Sequence, residues 1–327
     1  MPGSRLCLME REEIRAGIER GWSFRTIGQG LGRCPSTVAR EVSANGGRED
    51  YRAVSAHTEA GKRATRPKPF KLVADPVLAW AVTEFLVGKK YSPLTTAWIL
   101  SERGQPVSAE TIYRACYQQG RGLGAEVWKS LPRRRQKRKH AGRKWGFASA
   151  DALGIHVSIH HRPHIAATRS EPGHLEGDLI YGAYNRSAVA TFVERVSRHT
   201  TLVALPNGYR ADLVAAALSD TLNQIPEPMR RTLTWDQGRE MRKWKQIEEA
   251  TGIPIYFCDI HSPWQKPSVE NNNGILRRWL PKGTPLDVHT QDTLDAIAQL
   301  INQMPRQIHG WRTAQQVYDE LLVATTS

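Results

Sequence analysis

The predicted fold rests first on residues 173–180, GHLEGDLI. This stretch is rich in apolar residues and opens a region in which short apolar runs follow one another, so it is predicted to be a β-strand of a central sheet. Asp178 lies inside this strand, where a carboxylate is costly to desolvate unless a positive charge answers it. The stretch therefore predicts a sheet with an acid inside its central strand.

This stretch and the apolar runs that follow it predict a mixed sheet. Three strands in hairpin-like succession, followed by alternating helices and strands, are typical of a mixed sheet flanked by helices. The predicted strands are 175–181, 189–196, 201–205, 232–235 and 253–257, and the predicted helices are 211–225, 240–250, 268–280, 292–303 and 313–322.

Two further acids stand out by their placement. Asp236 directly follows a predicted strand, and Glu270 lies early in a predicted helix. Together with Asp178 they suit Mg²⁺, with Mn²⁺ as a substitute, because hard divalent cations prefer carboxylate oxygens. Two such ions, about 4 Å apart, would activate an attacking oxygen and stabilise the leaving one in phosphoryl displacement. Arg277, two helical turns after Glu270, suits a phosphate, although an ordinary surface arginine explains it equally.

The net charge of the chain is concentrated in one half. The chain carries 46 Lys and Arg against 32 Asp and Glu, a formal charge of +14. Residues 1–150 hold 28 basic and 13 acidic side chains, whereas residues 151–327 hold 18 and 19. An excess of this size indicates a polyanionic partner such as nucleic acid.

The densest basic run lies between residues 133 and 144, and it contains no acid. Such a run repels itself into an extended segment. One interpretation is a solvated linker or an import-like tag, and the other is an arm that lies on DNA phosphates. The arm residues predicted to contact DNA are Arg133, Arg134, Arg135, Lys137, Arg138 and Lys139.

Residues 23–42 have the pattern of a helix-turn-helix. Paired apolar residues four apart mark one face of each helix, a Gly-rich break separates them, and Ser36 is predicted to cap the second helix. Arg33, Thr37 and Arg40 would then face the major groove. Any pair of packed helices gives a similar pattern, so the residues alone leave both interpretations open.

A second helical pair follows a connector predicted at residues 57–75. Ser92 and Ser108 are each placed to cap a helix, and Arg114 lies on the second of them. Two such units on one basic chain favour DNA binding, although one of them could be structural.

Several classes of protein are excluded by composition. No window of 18 apolar residues exists, and the charged start lacks the apolar core of a secretory signal, so no membrane partner is expected. The four cysteines form no C-x-x-C pair, which argues against a disulfide framework and a zinc finger. A reducing cytoplasm is the expected location.

The sequence resembles transposases of the bacterial insertion-sequence-30 family, which carry a DDE catalytic domain. The resemblance rests on GHLEGDLI at 173–180, LTWDQGREM at 233–241, FCDIHSPWQ at 257–265, ENNNG at 270–274 and LPKGT at 280–284. The 33 residues between Asp236 and Glu270 match the spacing of the family's signature. Blocks at 31–41, 107–114 and 305–313 extend the resemblance over nearly the whole chain.

The resemblance implies a ribonuclease-H-like fold in which Asp178, Asp236 and Glu270 are catalytic and bind two Mg²⁺ ions. Arg277 matches a basic residue that is common seven positions after the family's Glu. Where members often carry RGTN before that Glu, this chain has KPSV at 266–269, and Lys266 is expected to help hold phosphates.

The predicted organisation is multidomain: an all-α helix-turn-helix region at 1–50, a second helical region at 51–130, a basic linker at 131–169 and the α/β ribonuclease-H-like domain, with its mixed five-stranded sheet, at 170–327. The predicted function is a DNA transposase that binds terminal inverted repeats and target DNA as a homodimer or higher oligomer, in the cytoplasm of a bacterium near the nucleoid. A related integrase or nuclease, and a non-catalytic DNA-binding regulator, are the alternatives.

Overall fold

The computed structural model describes residues 5–64, 69–131, 157–260 and 262–326. The chain forms two compact units, residues 1–69 and 70–327. The predicted DNA contacts of the basic arm lie outside the described residues; they are Arg133, Arg134, Arg135, Lys137, Arg138 and Lys139.

The first compact unit is helical. Its helices are α1 (Leu8–Glu19), α2 (Phe24–Leu31), α3 (Pro35–Ser43), the short α4 (Gly47–Asp50) and α5 (Ala53–Ala64). Ile14, Ile27, Val38 and Tyr51 lie at the centre of its apolar core. Helices α2 and α3 are the predicted helix-turn-helix pair. Gly32 ends α2 with φ 63°, a left-handed conformation that glycine adopts without strain.

The start of α3 differs from the prediction. The helix begins at Pro35, and its N-cap is Cys34, without a side-chain capping bond, so the prediction that Ser36 caps it is wrong. Proline takes the first helical position because its missing N–H is not needed there and its φ is already helical.

The end of this unit also differs from the prediction. Residues 57–64 belong to α5 and not to a connector, because Ala53 and Ala56 are buried where α5 packs on α1. The compact unit consequently extends to Pro69 rather than ending at residue 50.

Residues 70–131 form a second helical region in the same compact unit as the sheet. Its helices are α6 (Lys71–Ala74), α7 (Pro76–Thr83) with a π-helical continuation (Glu84–Gly88), α8 (Pro93–Glu102) and α9 (Ala109–Tyr117). The predicted caps of α8 and α9 are confirmed, since the hydroxyls of Ser92 and Ser108 accept the N–H groups of Thr95 and Thr111, both at 3.1 Å.

The rest of this unit is built on a mixed sheet of five strands, as predicted. The strands are β1 (His174–Tyr181), β2 (Ala188–Glu194), β3 (Thr200–Ala204), β4 (Thr232–Trp235) and β5 (Ile255–Phe257), in the order β3-β2-β1-β4-β5. Strand β1 is antiparallel to β2 and parallel to β4, which is parallel to β5. The stretch GHLEGDLI thus forms the central strand.

Helices cover both faces of the sheet. The helices of this part of the unit are α10 (His164–Thr168), α11 (Ala211–Gln224), α12 (Trp244–Thr251), α13 (Pro267–Leu276), α14 (Gln291–Asn302) and α15 (Ala314–Thr326). Leu175 and Leu179 of β1 face the core that α11 and α12 line, whereas Ile180 faces the core that α13 and α14 line. Because side chains alternate along a strand, Glu176 and Asp178 point to the α13 side.

Several element boundaries shift from the prediction. Helix α12 begins four residues late because the chain first makes a 3₁₀ turn (Arg239–Met241), and β5 begins at Ile255. Helix α13 ends at Leu276, with Arg277 as its C-cap, rather than continuing to Leu280.

Candidate active site

Asp178 lies in β1 against α13. Its carboxylate accepts hydrogen bonds from Lys266 Nζ at 2.9 Å and Asn273 Nδ2 at 2.7 Å. Burial raises the pKa of the Asp178 carboxyl, and the nearby ammonium opposes that rise. This acid is therefore held in one orientation by two donors from the region of α13.

Asp236 directly follows β4, the parallel neighbour of β1. Its carboxylate lies 3.1 Å from the same Lys266 Nζ. Burial works against the Lys266 ammonium, but Asp178 and Asp236 more than offset it and raise the pKa of the lysine. The structure thus brings two of the three predicted acids to one cation, Lys266, whose side chain is 5% exposed.

Glu270 is exposed on the first turns of α13. Partial burial raises the pKa of Glu270, and Lys266 opposes that rise. The negative charges of Asp178 and Asp236 raise the pKa further, so Glu270 interacts electrostatically with the aspartate pair. Among the described residues, no three acidic, histidine or cysteine side chains converge closely enough to hold a metal ion. Glu270 therefore does not complete a three-carboxylate cluster in this conformation.

The pair Asp178 and Asp236 fits a divalent cation. Two carboxylates already share one positively charged nitrogen at 2.9 and 3.1 Å, and hard oxygen ligands are those that Mg²⁺ and Mn²⁺ prefer. The carboxylates of Asp178 and Asp236 are thus suited to hold a divalent cation.

Glu176, two residues before Asp178 in β1, holds the start of α13. Its carboxylate is fully buried and accepts the backbone N–H groups of Ser268 at 2.6 Å and Val269 at 3.0 Å. It also pairs with Arg195 at 3.0 Å. A carboxylate at a helix N-terminus satisfies N–H groups that lack helical partners and complements the helix dipole. The signal in the sequence is its spacing of two from Asp178.

Asn273 is a second residue that the sequence analysis missed. It lies three positions after Glu270, and so on the same side of α13, where it reaches Asp178. The asparagine run after Glu270 carried this signal, but the run did not show which amide faces the sheet.

Strands β1 and β4 pack closely against each other beside the two aspartates. A Cβ at Gly177 would lie 2.0 Å from the ring of Trp235, which is fully buried. Only glycine therefore permits the close approach of β1 and β4 beside Asp178.

Arg277 does not extend toward solvent from the end of α13. Its guanidinium donates to the carbonyl of Tyr181 at 3.0 Å and that of Leu280 at 3.3 Å. Burial lowers the pKa of Arg277, and Asp178 opposes that effect. These bonds tie α13 to the end of β1, and the DNA contact of Arg277 stays a prediction.

The predicted DNA-contact residues of the helical regions have differing surroundings. Arg33 pairs with Glu10 at 2.8 Å, and Arg114 pairs with Glu110 at 3.1 Å. Thr37 and Arg40 line a cavity of 730 Å³ in the first compact unit, which Arg5, Arg11 and Arg63 also line. Thr37 and Arg40 of α3 are thus the best placed of the four for a polyanion.

In the ranges that the structure describes, no helix combines the length and the apolar character needed to cross a membrane.

Two family matches agree with this architecture. Residues 3–45 match the family described as "Helix-turn-helix domain", and residues 168–263 match the "Integrase core domain". The helix-turn-helix prediction for α2 and α3 is confirmed, and the sheet with its flanking helices is an integrase-type, ribonuclease-H-like core.

Full-length relatives extend these matches. The chain is 40% identical over 324 residues to the transposase for insertion sequence element IS1086 of Cupriavidus metallidurans, covering 97% of this chain and 95% of that protein. It is 36% identical over 326 residues to transposase InsI for insertion sequence element IS30A of Escherichia coli K12, covering 98% and 85%. It is 28% identical over 318 residues to the transposase for insertion sequence element IS4351 of Bacteroides fragilis, covering 96% and 95%. The chain belongs to the insertion-sequence-30 (IS30) family of transposases.

Proposed function

We propose that this transposase binds the terminal inverted repeats of its insertion sequence and catalyses metal-dependent DNA cleavage and strand transfer. The observation that carries the proposal is the pair Asp178 and Asp236, which share the ammonium of Lys266. The two aspartates lie in and directly after adjacent parallel strands of an integrase-type core. A site that holds a positive charge between two carboxylates is suited to a reaction in which negative charge develops on phosphate oxygens.

Asp178, Asp236 and Glu270 would hold Mg²⁺, with Mn²⁺ as a substitute and two ions per site. Bound there, the ions supply an activated oxygen nucleophile and stabilise the charge on the leaving oxygen. Asn273 would hold Asp178 in a fixed orientation, and Lys266 stands between the two aspartates until a cation replaces it. Glu176 holds the N-terminus of α13 and so determines where Glu270 is presented.

The proposed chemistry is two successive phosphodiester exchanges. A water oxygen attacks the phosphorus at an element end, the bond from phosphorus to the 3′ oxygen breaks, and that oxygen takes up a proton. The freed 3′-hydroxyl then attacks a target phosphodiester, forming one ester bond as another breaks. Both are in-line displacements that need no covalent bond to the protein.

The remaining basic residues would hold DNA. Thr37 and Arg40 of α3, with Arg33, are proposed to read the inverted repeat in its major groove, and Arg114 is proposed for the second helical region. The basic arm, Lys266 and Arg277 would neutralise phosphates near the reaction. Because two element ends must meet, a homodimer or higher oligomer is expected on DNA.

The test is a cleavage and joining assay on duplex DNA that carries the two element ends. We expect new 3′-hydroxyl ends and joined products with Mg²⁺ or Mn²⁺, and none on a duplex of the same length with scrambled ends. A protein that binds the ends but never cuts them with either cation would instead be a DNA-binding regulator.

A further inference from the structure

A cavity of 260 Å³ lies beside α13, outside the aspartate pair. Arg169, Arg198 and Arg306 line it, together with Ser268 and Asn272 of α13. Ser268 and Asn272 are one helical turn apart, and Glu270 lies between them in sequence, so the cavity faces the side of α13 away from Glu270. We call this cavity the arginine pocket.

The arginine pocket holds three positive charges that no ion pair of the described residues neutralises. Within the described residues, none of its three guanidiniums forms an ion pair, and both Arg169 and Arg198 donate to the neutral hydroxyl of Ser268. The nearby buried acids are already engaged. Glu176 binds Arg195 and the start of α13, and Glu194 accepts hydrogen bonds from three backbone N–H groups and a hydroxyl.

The pocket also presents buried donors without acceptors. In the described part of the chain, Nε and Nη2 of Arg306 and Nδ2 of Asn272 are buried and have no hydrogen-bond partner. Asn272 is 1% exposed. Such unpaired groups are costly in a folded protein and are expected where a ligand completes them.

The arginines also disfavour one another's charge. Burial and then Arg198 lower the pKa of Arg306 to about 10, and burial and then Arg169 lower the pKa of Arg198. An anion that enters the pocket would relieve both effects, because it supplies opposite charge and accepts the unpaired N–H groups.

We propose that the arginine pocket binds a phosphodiester of the DNA substrate other than the scissile one. The proposal rests on the proposed function, since it takes DNA as the substrate. Guanidiniums suit phosphate oxygens because their planar N–H groups can donate in pairs. A helix about 10–12 Å across separates the pocket from Glu270, so the bound phosphate would be a different one from the phosphate at the cleaved bond.

The experiment compares the variants Arg306→Gln and Arg198→Gln with the control Arg230→Gln. Arg230 precedes β4, whereas Asp236 follows it, so the control removes an arginine at the opposite end of that strand. DNA affinity is measured against salt concentration, and unfolding is measured without DNA. For either pocket variant we expect the slope of log affinity against log salt to lose about 0.9 in magnitude, as for one lost phosphate contact. We also expect an unchanged or higher Tm, because a buried like charge is removed. The control keeps the parental slope.

A second measurement assigns the phosphate. Single methylphosphonates, which remove one backbone charge, are scanned over five nucleotides on each side of the cleavage point. We expect a methylphosphonate at one position outside the scissile bond to weaken DNA binding by the parent and to leave DNA binding by Arg306→Gln unchanged. This is the behaviour of two groups in contact, because once the arginine is removed the phosphate charge has no partner left to lose.

Three results would overturn the proposal. In the first, the parent binds and cleaves the DNA, and both pocket variants show the same salt slope and the same response to methylphosphonates as the parent. Another is a lower Tm in both pocket variants with a parental salt slope, which would make the arginines structural. In the third, inorganic phosphate stabilises the parent but not Arg306→Gln, and no methylphosphonate position weakens binding. The pocket would then be a site for free phosphate and not for DNA. A parent that neither binds nor cleaves element ends instead rejects the proposed function.

Discussion

The ammonium of Lys266 lies 2.9 Å from a carboxylate oxygen of Asp178. The same nitrogen lies 3.1 Å from Asp236, so one buried lysine neutralises part of the charge of two carboxylates on neighbouring strands. A cation that binds both aspartates has to replace this lysine as their partner.

Removing the lysine charge should therefore strengthen metal binding. For Lys266→Met we expect Mn²⁺ to bind about tenfold more tightly, equal to ~1.4 kcal/mol, because no ammonium competes for the two carboxylates. Titration of Mn²⁺ followed by its electron paramagnetic resonance signal measures this. Lys282→Met, at an exposed lysine, is the control. Weaker or unchanged Mn²⁺ binding by Lys266→Met would show that the lysine does not compete.

The anchor of α13 gives a prediction about stability. Glu176→Gln removes the charge that pairs with Arg195 and accepts the N–H groups of Ser268 and Val269. Because the site is fully buried, we expect the free energy of unfolding to fall by about 3 kcal/mol or more. Urea unfolding measures it, with the exposed Glu249→Gln as the control. A loss as small as that of the control would mean that Glu176 does not hold the helix.

The packing of β1 against β4 gives a matched pair of glycine variants. At Gly177 an added Cβ would lie 2.0 Å from buried Trp235, so Gly177→Ala should lower the free energy of unfolding by about 1–3 kcal/mol. At Gly274, in α13, an added Cβ meets nothing within 4 Å. Gly274→Ala should therefore be neutral or stabilise the protein by about 0.5–1 kcal/mol. Equal effects of the two substitutions in urea unfolding would reject this account of the packing.

Histidine burial predicts how stability depends on pH. Burial lowers the pKa of His199 below its ordinary value of 6.5, although Gln315 opposes the effect, and the ring packs against Tyr318. Because the unfolded chain then binds more protons below pH 6.5, the free energy of unfolding falls as pH drops from 6.5 through the folded pKa. His199→Gln should flatten this part of the profile, and the exposed His161→Gln should not. A parental slope in His199→Gln would contradict the prediction.

The sheet and its acids were predictable because their signals are local. Apolar runs predict the five strands, and Asp178 and Asp236 are marked by lying in a strand and directly after one. The cap of α3 was mispredicted because Pro35 starts the helix before Ser36 can cap it. In that case two local preferences compete, and the sequence does not show which one prevails.

The contacts of the site were not predictable in the same way. Glu176 and the N–H of Ser268 are 92 positions apart, and Lys266 and Asp178 are 88 apart. Which lysine or amide reaches a given acid depends on how α13 packs on the sheet, and no periodicity within one segment reports it. The same holds for the arginine pocket, whose arginines come from three separate segments.

On the proposed function, Asp236 belongs to the catalytic centre of a DNA-cleaving enzyme. The most direct test of this claim is single-turnover cleavage of a duplex carrying one element end, in Mg²⁺, by the parent, Asp236→Asn and Asp220→Asn, an exposed acid of α11. We predict that Asp236→Asn still binds the duplex but cleaves it at least about a hundredfold more slowly, equal to ~2.7 kcal/mol in activation free energy, whereas Asp220→Asn cleaves at the parental rate. Cleavage by Asp236→Asn at the parental rate would contradict the account.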